Sequence, residues 1–191
     1  MSFPRSSLAA VGLMLLAAAP SAAQMQMQPG QQPALVGDLL RDVADVKTKL
    51  VSLAEAMPEG SYDWRPMEGV RSVAEVYKHL ASDNYLLSAV AGHAAPATTG
   101  IIGDDYRTAV AYEGRAMSKA EIVAAVGASF DHLEMALGAT SMEDMMANVT
   151  VFGQDMTRRG LWILTVTHLH EHLGQSIAYA RSNRIVPPWS R

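Results

Sequence analysis

Residues Thr157 to Arg184 read TRRGLWILTVTHLHEHLGQSIAYARSNR. Leu161, Thr165, His168, His172, Gln175 and Tyr179 recur there at steps of three and four, the period of one face of an α-helix. A helix is expected from about Thr157 to Ser182. At roughly 100° per residue, His168 and His172 sit about 40° apart and one turn from each other, so their imidazoles can converge on one point. His170 points roughly 160–200° away from both and is excluded from that pairing. Spacing alone leaves two readings open: a pair of metal ligands, or two hydrogen-bonded core histidines.

Working outward from this helix, three more helical stretches appear. The first spans about Leu35 to Met57, with Leu39, Leu40, Val43, Val46, Leu50, Leu53 and Ala54 on one face and mostly charged residues on the other. Pro58-Glu59-Gly60 ends it. A loop with the aromatic anchors Tyr62 and Trp64 leads to Ser72-Val73-Ala74-Glu75. This has the form of a capping box, in which serine and glutamate each satisfy a free backbone donor. The helix it opens runs to about Ala91. Val76, His79, Leu80, Asp83 and Leu87 form its inward stripe. Ser118-Lys119-Ala120-Glu121 opens another, running to about Leu137. The two long connections, Gly92–Gly114 and Gly138–Asp155, read as irregular, the first with room for a turn of helix and the second with an extended piece at Val149–Phe152. Strand signals are otherwise nearly absent, so the expected architecture is all-α, a four-helix bundle. Facing helices of a bundle approach within about 8–10 Å, close enough for His79 to share an ion with His168 and His172.

Met1 to Gln24 reads MSFPRSSLAAVGLMLLAAAPSAAQ, with a basic residue at Arg5, an apolar run from Leu8 to Ala19 and small residues before a cut after Ala23. This is the layout of a secretory signal peptide. The apolar run is too short for a comfortable membrane anchor. Export to the periplasm or medium is expected. Residues 24–33 are expected to form a flexible Met/Gln/Pro/Gly linker, and 34–191 the domain. Loss of Arg5 on cleavage moves the net charge from -4 to -5. An acidic chain without a basic patch does not suit nucleic acid. Cysteine is absent, which excludes disulfides, thiol nucleophiles and thiolate-held zinc, so any metal site must use His, Asp and Glu.

The segment His168-Leu-His-Glu-His172-Leu-Gly174-Gln175, followed by Tyr179, Arg181 and Pro187-Pro188, resembles the C-terminal signature of the DinB-like family. Tyr62-Asp-Trp64-Arg-Pro66, Ser72 and His79 resemble its earlier one. The resemblance covers about residues 35–189. It implies a four-helix bundle of the DinB/YfiT-like type, with the family's metal triad at His79, His168 and His172. It also implies a divalent ion, usually zinc or nickel, and commonly a homodimer. Characterised relatives include thiol-dependent transferases and isomerases that work in the cytoplasm. The expected export separates this chain from them, so the resemblance carries the site further than the substrate.

Three protein ligands leave a coordination position open, the pattern of catalytic rather than structural sites. The reading that follows is a metal-dependent hydrolase or transferase acting on a small molecule, with Asp83 orienting a ligand histidine, binding the ion itself or accepting a proton. The alternative is a metal-binding or stress-associated exported protein without turnover. Glu171 lies off the His168/His172 face. Gly174 is expected to permit close helix packing. Gln175 is expected either to bond a ligand histidine or to pack. Trp64, Trp162 and Trp189 are expected to be core or interface anchors. His93, His132 and the methionines Met142, Met145 and Met146 are expected to pack rather than to bind metal.

Overall fold

The computed structural model describes residues 34–190, so the expected signal peptide and the whole of the expected linker lie outside the described residues. The helix α1 (Ala34–Ala56) buries Val36, Val43, Val46, Leu50, Leu53 and Ala54. A short 3₁₀ turn and a loop lead to α2 (Val73–Val90). Ser72 accepts from the Glu75 backbone N–H, and Glu75 reciprocates at the Ser72 N–H. Tyr62 in that loop donates to the Ala54 carbonyl at 2.8 Å, tying the connection to the end of α1.

The connection after α2 is more ordered than its composition suggests. It holds an eight-residue helix, α3 (Tyr106–Glu113), whose start is capped by Asp105 and whose Ala109 and Tyr112 are buried. A run this short shows too few turns for periodicity to declare it. Next comes α4 (Lys119–Gly138), opened by the Ser118/Glu121 capping box. The second connection also gains structure. It forms α5 (Met142–Met146), then an antiparallel hairpin of β1 (Asn148–Val151) and β2 (Gln154–Thr157). The two residues between the strands, Phe152 and Gly153, both have positive φ (51° and 76°), as a tight two-residue hairpin turn requires. Thr157 ends β2 and caps α6 (Arg158–Ser182) by accepting from the Gly160 N–H.

Helix α1 packs on α4 and α6, and α2 packs on the same two helices from the opposite side. The bundle order is therefore α1, α4, α2, α6, with α3 laid against α2. Being enclosed by three helices, α2 is buried almost all round, including Ser82, Asn84 and Ser88. Two of these polar groups find partners within the core: Asn84 donates to Ser129 of α4 at 3.0 Å, and Ser88 donates to the Asn84 carbonyl at 2.7 Å. Trp162 is fully buried, with its indole N–H on Thr140 at 3.2 Å. Trp64 meets Tyr179 edge-on, and Trp189 stays partly exposed. No helix among the described residues is long and apolar enough to cross a membrane.

Candidate metal centre

Two pairs of residues, each at i and i+4, face each other where α2 and α6 meet: His79 and Asp83 on one helix, His168 and His172 on the other. The adjacency of these helices converts a helical spacing into a cluster. His168 Nε2 lies 3.3 Å from His79 Nε2 and 3.0 Å from His172 Nε2. Asp83 Oδ2 lies 3.5 Å from His79 Nε2 and 3.3 Å from His168 Nε2. The cluster is largely withdrawn from water, with His168 the most open of its histidines.

For two of the three rings, His79 and His172, the outer contacts set which nitrogen carries the proton. Tyr179 Oη is 3.1 Å from the Arg71 carbonyl, which can only accept, so the phenol donates there. The phenol oxygen then accepts from the Gln175 amide NH₂ at 3.2 Å. That turns Gln175 Oε1 toward His172 Nδ1, 2.7 Å away, and the ring must donate from Nδ1. On α2, His79 Nδ1 faces the Glu113 carboxylate at 2.8 Å and donates to it. Glu113 is held in turn by Ser82 Oγ at 3.2 Å and by the Arg71 guanidinium at 3.4 Å. In their neutral forms His79 and His172 therefore both turn a bare Nε2 lone pair toward His168 Nε2.

That arrangement fits a cation. The nitrogens cannot satisfy one another, because lone pairs at 3.0–3.3 Å repel unless a proton or a metal stands between them. Zinc–nitrogen bonds of about 2.0–2.1 Å in a tetrahedron place neighbouring nitrogens about 3.3 Å apart. Asp83 supports the same conclusion: its Oδ1 is buried without a hydrogen-bond partner. Burial pushes the Asp83 carboxyl up to about 6, against the pull of His79 and with a further push from Glu113. Burial and the neighbouring imidazoles of His172 and His79 hold His168 down to about 3. His172 is lowered by burial, in part offset by its bond to Gln175. Glu113 stays below the usual carboxylate range. Its burial works the other way, but the His79 hydrogen bond and the charges of His79 and Arg71 outweigh it. Burial thus favours the neutral form of His168 and His172, the form a ligand must reach before a metal is taken.

His79, His168, His172 and Asp83 are thus brought together. His170 lies outside the cluster and meets Asp42 of α1 at 2.9 Å. His93 and His132 pair with each other elsewhere, His132 Nε2 being 3.3 Å from the His93 carbonyl. Gly174 departs from expectation: it is exposed, and a Cβ placed on it would meet nothing within 4 Å, so helix packing does not require it. Two contributors escaped the sequence reading. Glu113 sits at the end of α3, in the stretch that reads as irregular, and Arg71 sits in a loop. The available signal for Glu113 was Asp105 followed by Ala109 and Tyr112, a cap and one turn of apolar spacing.

The fold has solved counterparts. A DinB-like protein from Bacillus subtilis superposes with a TM-score of 0.60 at 17% identity, over 78% of this chain and 93% of that one. Another from Bacillus cereus gives 0.64 at 14% identity, over 80% and 95%. These identities speak for the fold alone. No curated protein matches the chain. The model of the DinB superfamily matches residues 43–176, a span that contains every residue of the three-histidine cluster. With most of the chain inside that match and the bundle shared with DinB-like structures, this chain belongs to the DinB superfamily.

Proposed function

We propose that His79, His168 and His172 hold a divalent metal ion, zinc or nickel, and that the protein is a metal-dependent hydrolase or transferase acting on a small molecule. The observation that carries this reading is the meeting of bare Nε2 lone pairs, with tautomers set by Glu113 and by the Gln175–Tyr179 chain. When bound, such an ion supplies Lewis acidity, lowering the pKa of a water or thiol presented to it. The chain's own residues do the rest. Glu113 and Gln175 fix the planes of their imidazoles. Asp83, buried and raised toward neutrality, stands beside the histidine nitrogens as the group that takes up a proton. The expected export directs the activity toward a substrate outside the cytoplasm. Metal analysis of purified wild type and His168→Ala tests the reading, with hydrolase and transferase assays on the same samples. Expected is one ion per wild-type chain, little in the variant, and turnover that follows the metal. Absence of stoichiometric metal, on isolation and on titration, overturns it.

One observation favours a second reading, metal binding without turnover. Asp83 Oδ2 stands at separations from His79 and His168 that suit a fourth ligand, and four protein ligands make a closed structural site. Cobalt substitution separates the two. A visible spectrum that shifts on adding azide supports the open, catalytic site. An unchanged spectrum supports the closed one.

A further inference from the structure

Beside the histidine cluster lies a cleft of about 190 Å³. Its walls are mostly apolar: Leu87 of α2, Leu164 of α6, and Val151, Phe152 and Met156 of the hairpin, where Gln154 is the polar exception. Asp83 and His168 also line it, so an apolar chamber opens onto the groups proposed to surround the ion. For comparison, an apolar protein cavity of about 150 Å³ takes up a benzene ring.

The hairpin tip carries a residue that its own turn disfavours. Phe152 has φ 51°, in the left-handed region that suits Gly, Asn or Asp and is unusual for a bulky aromatic. The ring is not repaid by burial. Phe152 is 59% exposed, and its aromatic neighbour Tyr106, met edge-on at 5.6 Å, is itself 44% exposed. Phe152 borders this cleft and also a second of about 300 Å³ that Tyr106 lines. A side chain that strains its turn, contributes little to the core and walls a cleft beside a reactive cluster has the marks of a ligand contact.

We infer that this cleft binds the apolar body of the substrate, a single aromatic ring or an alkyl group of that size, whose one metal-ligating head reaches the His168–Asp83 end, and that Phe152 determines which bodies fit. The inference rests on the metal reading above and adds the class of substrate to it.

Two hydroxamates with the same head, acetohydroxamate and benzohydroxamate, test it by titration calorimetry on zinc-loaded protein. In wild type the aryl compound should bind at least about tenfold more tightly, the scale expected for burying a ring. Phe152→Asn places a residue suited to the turn, so the variant should melt at or above the wild-type temperature and keep its zinc. Its preference for the aryl compound should shrink to about threefold or less. Equal affinities in wild type, or a preference untouched by Phe152→Asn, overturn the inference and leave the three-histidine reading standing. Failure of zinc to bind overturns both, and the metal titration that precedes the hydroxamates identifies that case.

Discussion

Glu113 Oε1 lies 2.8 Å from His79 Nδ1, and through this one bond a short helix outside the bundle sets the tautomer of a histidine within it. Carboxylates that orient ligand histidines typically contribute 10–100-fold to metal affinity. Glu113→Ala should therefore weaken zinc binding by about that factor while leaving the helical circular dichroism intact. Glu113→Gln keeps an acceptor and should lose less. A competition titration with a chromophoric chelator measures all three proteins, and unchanged affinity in Glu113→Ala would remove Glu113 from the site.

The second orienting chain ends on a backbone carbonyl, which gives it a direction. Gln175→Leu strips His172 of its acceptor and should weaken the metal about tenfold or more. Tyr179→Phe keeps Gln175 but removes the hydroxyl between it and Arg71, freeing the amide to turn. Its loss should be smaller, a few-fold. The double variant should be no weaker than Gln175→Leu alone, because Tyr179 acts on the metal only through Gln175. Additive losses would show that the two act separately.

Two positions place the wrong residue type for stability. Gly174 lies mid-helix with open space where a Cβ would go, so Gly174→Ala should stabilise the protein by about 1 kcal/mol. Arg184 follows the end of α6 with φ 61°, a conformation that glycine takes freely, and Arg184→Gly should add roughly 0.5–1 kcal/mol. For a domain this size each corresponds to a rise of about 2–4 °C in melting temperature. Calorimetry checks both, and a lower melting point for Gly174→Ala would mean that the exposed face of α6 has a partner.

The bundle and the cluster were legible to different depths, for physical reasons. His168 and His172 could be paired and His170 set aside from helical spacing alone, since the period of 3.6 is a local property. Ser72/Glu75 and Ser118/Glu121 announced helix starts because a capping box is also local. The place of His79 depends on α2 and α6 being neighbours, which no spacing within one helix encodes; there the family resemblance supplied what periodicity could not. Glu113 was lost because α3 is too short to show a period; the extended piece expected at Val149–Phe152 overlaps β1, but the return strand β2 was lost because Phe152-Gly153 lacks the Asn-Gly or Asp-Gly turn signature.

Acidification supplies a sharper test of the neutral cluster. In the metal-free protein His168 is depressed to about 3 and His172 is lowered, against about 6.5 in an unfolded chain. Below pH 6.5 the unfolded chain binds protons at these positions that the folded one refuses, so stability falls as pH drops through that window. Asp83 has the opposite sign. Burial raises its carboxyl to about 6 in the folded protein against 3.8 in an unfolded chain, so between those values the folded state keeps a proton the unfolded state has released. Acidification through that range therefore offsets part of the histidine loss. Chelator-treated wild type should hold its melting temperature from pH 8 to 7 and decline below about 6.5. Asp83→Asn removes the offset and should decline more steeply between pH 6 and 4. Because the substitution also removes a buried charge, the variant should start from a higher melting temperature at pH 8. Melting followed by circular dichroism across this range distinguishes the outcomes. A wild-type curve that stays flat to pH 4.5 would mean that the two α6 histidines charge freely in the folded protein, which the closeness of their Nε2 atoms, 3.0 Å, does not permit.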